Sequence, residues 1–341
     1  MLIVCILRRH INNKMNKYPR TIFIEIGTEC NSNCKYCHMW TTKETAGGLT
    51  TEEKIKIIRE FKKNNPDGKI VLTGGETMLK YDEFFNLSME CTKWGLFCAA
   101  NTNASLINDK NIEKILKDGP KYLVVSLDSH IEKYHEYSRG IDGGFEHATD
   151  VLKKLVKAKK ENKSKVEILT NSVIYDMNID GMVDYIDFVE KLGIDGCIFQ
   201  MISKTFFLKG EQDYFFKNHF FKDKVDAQNK IQNVIDILDN HKIVRTTKQD
   251  FEWMKLYINN PDFIGEQVCG SYEKNIMVDT YGEMQLCFNM KNINNGKSLG
   301  NVREFNYNVV EAWNSEKASN ARVVMKNCRL NCGMLNCHRK K

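Results

Sequence analysis

The sequence predicts an α/β fold built on a parallel sheet. Six short β-rich runs alternate with longer amphipathic runs between residues 21 and 200. That is the pattern of strands joined by right-handed crossover helices. The residues that carry chemistry fall where strands end: three cysteines follow the first run, Gly74, Gly75 and Glu76 the second, and Ser126 and Asp128 end the fourth. Parallel sheets bind ligands at that edge, whether the sheet is open and doubly wound or part of a barrel.

In order, the strands are "TIFIEIG", "KIVLTG", "LFCAAN", "YLVVSLD", "VEILTNSV" and "DGCIFQM". Helices are expected between them near 51–64, 82–94, 109–118, 144–160 and 180–192. In "LTTEEKIKIIREFKKN", Thr50 or Thr51 can cap, acids fill the first turn, and Ile55, Ile57, Ile58 and Phe61 give an apolar face. "IDGMVDYIDFVEKLG" ends in a glycine that suits a C-cap. After residue 200 the pattern changes. "FLKGEQDYFFKNHFFKDKVD" reads as aromatic and irregular, suited to lining a pocket or filling a core between units. Helical runs follow at 225–240 and 247–258, then a hairpin in "KNIMVDTYGEMQLC" with Tyr281-Gly282 at its turn, then one helix in "VVEAWNSEKASNARVVM". The expected units are an extension at 1–20, a core at 21–205, a helical connection at 206–264 and a C-terminal unit at 265–341.

The chain has 341 residues, 42% hydrophobic and 28% charged, which suits a globular protein with a sizeable core. The net charge of +6 is spread over segments such as "LKKLVKAKKENKSK" and reads as solvated helix surface, not a nucleic-acid patch. The opening run "MLIVCIL" is too short to span a bilayer and lacks a preceding basic region and a cleavage site. A cytoplasmic protein is expected, starting at Met1 or Met15.

Eight of the twelve cysteines are grouped: Cys30, Cys34 and Cys37, then Cys269, Cys287, Cys328, Cys332 and Cys337. In a chain without a secretory signal, such groups read as metal ligands before disulfides. Cys5, Cys91, Cys98 and Cys197 stand alone in apolar surroundings, as small buried hydrophobes do. In "TECNSNCKYCHMW" the spacing is C-x3-C-x2-C. A structural zinc site wants four ligands, and His38 is too close to Cys37 in sequence for both to reach one metal readily. A redox dithiol would leave Cys30 idle. An iron–sulfur cube held by three thiolates keeps one iron open for a ligand.

"CNSNCKYC" resembles the cluster motif of the radical S-adenosylmethionine (radical SAM) superfamily, with Tyr36 as the aromatic before the last cysteine. The resemblance implies a partial (β/α)6 barrel, a 4Fe–4S cluster on Cys30, Cys34 and Cys37, and SAM chelating the open iron. It implies reductive cleavage of SAM to a 5′-deoxyadenosyl radical that abstracts hydrogen from a substrate. "VLTGGETML" carries the family's motif for the SAM amino group at Gly74, Gly75 and Glu76. "VVSLDSHIEKYHEYSRGIDGGF" resembles the family's fourth-strand segment. It implies that Ser126 meets polar groups of SAM, that Arg139 pairs with its carboxylate, and that Asp128 serves as a strand-end hydrogen bond or a ligand contact. Asn101, Asn103 and Gln200 are further candidates.

The C-terminal cysteines resemble a SPASM or shorter twitch extension. A hairpin ends in G-x4-C from Gly282 to Cys287, and a helix containing "AWNSEKASNAR" leads to the last group. This implies one auxiliary 4Fe–4S cluster on Cys269, Cys287, Cys328 and Cys332, with Cys337 as an alternative to Cys332. The resemblance spans about residues 21–340. It implies a small polar substrate or a peptide, and a reductant such as flavodoxin or ferredoxin. An RNA-modifying radical enzyme and a non-catalytic iron–sulfur or zinc protein are the alternatives.

Overall fold

The computed structural model describes residues 17–203, 211–262, 268–290, 297–328, 332 and 338–339. The opening apolar run with Cys5, and Cys337, lie outside them. Six parallel strands stand side by side in chain order: β1 (Thr21–Gly27), β2 (Lys69–Gly74), β3 (Phe97–Thr102), β4 (Tyr122–Ser126), β5 (Glu167–Ile174) and β6 (Gly196–Met201). The crossovers carry α1 (Thr51–Asn64), α2 (Tyr81–Lys93), α3 (Ile112–Asp118), α4 (Glu132–Arg139), α5 (Gly144–Asn162) and α6 (Met182–Leu192). Thr50 caps α1 and forms a reciprocal capping box with Glu53.

Side chains alternate across a strand, and this sorts the residues. Ile22, Ile24, Ile70, Leu72, Leu123, Val125 and Ile168 face the large core shared with the helices. Phe23, Val71, Ala99, Val124, Leu169 and Ile198 form a separate inner layer, each at most 1% exposed. An apolar inner layer contributed by every strand is the mark of a partial barrel.

Beyond β6 come α7 (Glu211–His219), α8 (Lys224–Ile237) and α9 (Lys248–Asn259). The stretch read as irregular therefore contains a helix. Phe215 and Phe216 are buried beside Val173, Tyr175 and Ile202. The expected hairpin is present as β8 (Asn275–Val278) and β9 (Met284–Gln285), with Gly282 at φ +94 in its turn. It does not form a sheet of its own. β8 pairs in parallel with β1, extending the sheet to eight strands. A separate two-stranded pair joins β7 (Val268–Cys269) to β10 (His338–Arg339). The single helix expected after the hairpin is two: α10 (Val309–Trp313) and α11 (Glu316–Lys326). Ser315 interrupts it by accepting a hydrogen bond from Ala318 N as the N-cap of α11. Cys91, Cys98 and Cys197 are buried, as small hydrophobes are. Among the described residues no helix is long and apolar enough to cross a membrane.

Candidate active site at the strand ends

Two positions beyond the apolar inner layer, each strand presents a polar residue: Glu25, Thr73, Asn101, Ser126, Asn171 and Gln200. All six line one cavity of about 530 Å³. Cys30, Cys34, Cys37, Tyr36, Gly74, Gly75, Glu76 and Arg139 line it as well, and Asp279, Tyr281, Gln285 and Phe288 close its far side.

The cysteine loop is held by its backbone. Cys37 N donates to Cys34 O at 3.1 Å, Trp40 Nε1 to the same oxygen at 3.1 Å, and Lys35 N to Ser138 O at 2.9 Å. Burial pushes all three thiols up, Cys34 to about 12, against the pull of the Arg139 charge. Among the described residues no three cysteine sulfurs lie within 4.8 Å of one another. Cys34 nevertheless feels the charges of both Cys30 and Cys37, so the three thiols share one end of the cavity.

Gly74 and Gly75 sit where two backbones nearly touch. Gly75 N donates to Gly27 O at 2.9 Å and Glu76 N to Glu29 O at 2.9 Å. A Cβ on Gly74 would lie 2.1 Å from Gly27 O, and one on Gly75 2.0 Å from Glu29 O. The glycines thus hold the segment after β1 against the end of β2. Glu76 is a strut. Its carboxylate accepts from Thr102 Oγ1 (2.7 Å), Met78 N (3.0 Å) and Asn103 N (2.7 Å). Burial outweighs these bonds and raises the carboxyl.

Asp128, 2% exposed, lies behind the cavity wall and is not part of its lining. It accepts from Tyr36 Oη (2.8 Å), Ser138 Oγ (2.7 Å), Arg139 Nε (2.8 Å) and Nη2 (2.7 Å), and Val173 N (3.0 Å). Burial works against its charge, but Arg139 prevails and holds the carboxyl below its usual value. Of the two roles expected of Asp128, this geometry is that of the strand-end hydrogen bond. Asp128 is a hub with no oxygen left for a ligand contact. Asp128 takes the Nε/Nη2 edge of the Arg139 guanidinium, and Nη1 makes no hydrogen bond. Arg139 also stacks over Tyr36, 5.4 Å from the ring centroid.

Sequence reasoning missed Thr28 and Asn171. Thr28 Oγ1 and Asn171 Oδ1 are buried, line the cavity side, and have no partner. The available signal was register, since Asn171 stands two residues past Leu169 on the inner face.

The C-terminal cysteines are only partly gathered by what is described. Cys269 lies on β7, Cys287 follows β9, and Cys328 follows α11, which packs near β7. Ser271 Oγ donates to Leu286 O at 3.0 Å, tying the turn after Cys269 to the residue before Cys287. Ser203, on the cavity wall, donates to Cys332 O at 2.7 Å.

Comparisons with known proteins agree with this geometry. The model of the Radical SAM superfamily matches residues 24–192. The AdoMet-dependent heme synthase of Methanosarcina barkeri is 29% identical over 52% of this chain and 49% of its own length. The sporulation killing factor maturation protein SkfB of Bacillus subtilis is 24% identical over 52% of this chain and 42% of its own. The chain thus spans about half, or less, of the length of these two curated relatives. In structure it resembles Streptococcus suis SuiB bound to S-adenosylmethionine, with a TM-score of 0.70 and 17% identity, over 94% of this chain and 72% of that one. A three-cysteine loop after β1, a Gly-Gly-Glu strut after β2 and a polar cavity over a partial barrel thus occur in a chain that belongs to the radical SAM superfamily.

Proposed function

We propose that this chain is a radical SAM enzyme that modifies a peptide. The observation that carries the reading is the shared cavity, in which three thiols face six polar strand residues across a space sealed below by an apolar layer. Cys30, Cys34 and Cys37 would hold a 4Fe–4S cluster, and Cys269, Cys287, Cys328 and Cys332, with Cys337 as an alternative, an auxiliary one. When bound, the first cluster and SAM supply an electron and a 5′-deoxyadenosyl group, the source of a hydrogen-abstracting radical. The protein's part is placement. The Glu76 strut and the two glycines fix the wall beneath the cysteine loop, Ser126 and Asn171 offer hydrogen bonds, and the apolar layer keeps water from entering below. A small reductant such as flavodoxin or ferredoxin would deliver the electron.

The peptide reading rests on the names of relatives. SkfB is a maturation protein for a killing factor, and a SuiB structure holds the precursor peptide SuiA. A small polar substrate is the second reading, supported by the likeness to BtrN in complex with AdoMet and 2-DOIA at a TM-score of 0.50. The test is anaerobic reconstitution, with iron and sulfide counted beside SAM cleavage under dithionite. About eight irons per chain and deoxyadenosine formation are expected. Cys34→Ala should lose cleavage and keep the auxiliary iron. Deoxyadenosine formed by that variant would sink the assignment.

A further inference from the structure

Ser32 lies between the first two cysteines of the loop, is 1% exposed, and lines the main cavity with Cys30. The end of β3 clamps it. Asn103 directly follows that strand, and all four hydrogen-bonding positions of its side-chain amide are taken. Asn103 Oδ1 accepts from Ser105 N (2.9 Å) and Ser105 Oγ (2.6 Å). A backbone N–H can only donate, so this contact fixes which way the amide faces. Asn103 Nδ2 therefore donates, to Asn31 Oδ1 at 2.9 Å and to Ser32 Oγ at 2.6 Å. The backbone N of Asn103 donates to Glu76 Oε2 at 2.7 Å, which anchors the clamp on the Gly-Gly-Glu strut.

Because Ser32 Oγ accepts from Asn103, its own proton points elsewhere. It goes to Cys30. Burial raises the Cys30 thiol, and hydrogen bonds from the Ser32 backbone N–H and hydroxyl work against that by favouring the thiolate. The chain of donors thus runs from Asn103 through Ser32 to Cys30, each hydrogen bond polarising the next. Burial raises Cys37 as well, but the hydrogen bonds it receives come from the backbone N–H groups of Met39 and His38. At Cys30 one donor is a side chain, so a substitution can remove it.

We propose that Ser32 sets the reduction potential of the cluster on Cys30, Cys34 and Cys37, and that Asn103 is its positioning residue. The proposal rests on the cluster-binding reading above. Taking up one electron adds negative charge to the iron–thiolate group, and a hydroxyl donating to a thiolate sulfur stabilises that charge. The electron comes from the reductant and stays on the cluster. No bond forms or breaks, and Ser32 keeps its proton. The hydrogen bond therefore raises the potential and makes the cluster easier to reduce.

The test is a redox titration followed by electron paramagnetic resonance, on the full chain reconstituted without oxygen. SAM marks the cluster with the open iron by changing its signal, which leaves the auxiliary signal as an internal standard. Ser32→Ala is expected to shift the reduction equilibrium about tenfold, or about 59 mV to more negative potential, the worth of one hydrogen bond to a charged group. Asn103→Ala should shift it the same way by less, and the double variant should match Ser32→Ala, since Asn103 acts through Ser32. Ser32→Thr keeps the hydroxyl and should restore the wild-type midpoint. The auxiliary midpoint and the iron content should not move. An unchanged midpoint in iron-replete Ser32→Ala, or equal shifts in Ser32→Ala and Ser32→Thr, overturns the proposal. Where Ser32→Ala does not hold iron, Asn103→Ala decides, and a wild-type midpoint there overturns it. Wild type whose iron signals do not respond to SAM overturns the SAM-binding reading and this proposal with it.

Discussion

Asn171 lies in register with Ser126 on the inner face, and its buried Oδ1 has no donor within the protein. An orphan acceptor costs the fold free energy. Asn171→Ala should therefore leave the melting temperature unchanged or raise it slightly. It should also weaken SAM binding by about 1 kcal/mol, roughly fivefold. A clear fall in melting temperature would show that the amide is structural. Asp128→Asn should behave in the opposite way. It leaves the buried Arg139 charge without its partner, at a cost of about 3–5 kcal/mol in chemical denaturation. It also loosens Tyr36, so bound iron should fall. The cysteine spacing and the Gly-Gly-Glu run were legible in the sequence, because residue type and short spacing identify them. The hydrogen-bonding role of Asp128 was one of two readings, but its pairing with Arg139 was not legible. An arginine in sequence does not show which carboxylate it will pair with, and only packing brought these two together.

At the level of elements, α1 is tied to the C-terminal unit through its own cap. Glu53 Oε2 accepts from Thr50 N at 2.9 Å in the capping box, and Glu53 Oε1 accepts from Arg303 Nε at 2.6 Å and Tyr307 Oη at 3.0 Å. The Arg303 hydrogen bond is the main reason the Glu53 carboxyl is held down to about 2. An unfolded glutamate titrates near 4.3. The folded value is depressed, so the contribution is complete above about pH 4.3 and is lost as pH falls towards 2. Arg303 is 39% exposed, which limits the effect to about 1 kcal/mol. Hydrogen exchange in residues 297–328 should accelerate across that window, and Glu53→Gln should show the faster exchange already at neutral pH. Equal exchange in both proteins at neutral pH would mean the tie carries no weight. Period-two strands and the Thr50 cap were readable from local pattern. The break at Ser315 was not, since neither proline nor glycine marks it. α7 was hidden because its aromatics mask helical periodicity, and α4 because it is short and starts without a capping side chain.

At the scale of the molecule, β8 makes the C-terminal unit part of the barrel sheet. Ile276 and Val278 are fully buried, and Phe288 packs edge-on against Phe23 of the inner layer at 5.1 Å. The sequence placed a boundary between these units because composition changes there, but composition does not report strand pairing. A chain truncated after residue 262 should therefore be insoluble or aggregate, with β1 left as an open edge. A soluble, cooperatively unfolding fragment would show the units to be separable. The same pairing sets a clock during synthesis. Roughly 250 residues separate β1 from the strand that covers its edge. At about 5–20 residues per second, the ribosome leaves that edge uncovered for roughly 10 to 50 s. The first strand made is thus among the last to be completed, and for that interval its protection has to come from outside the chain.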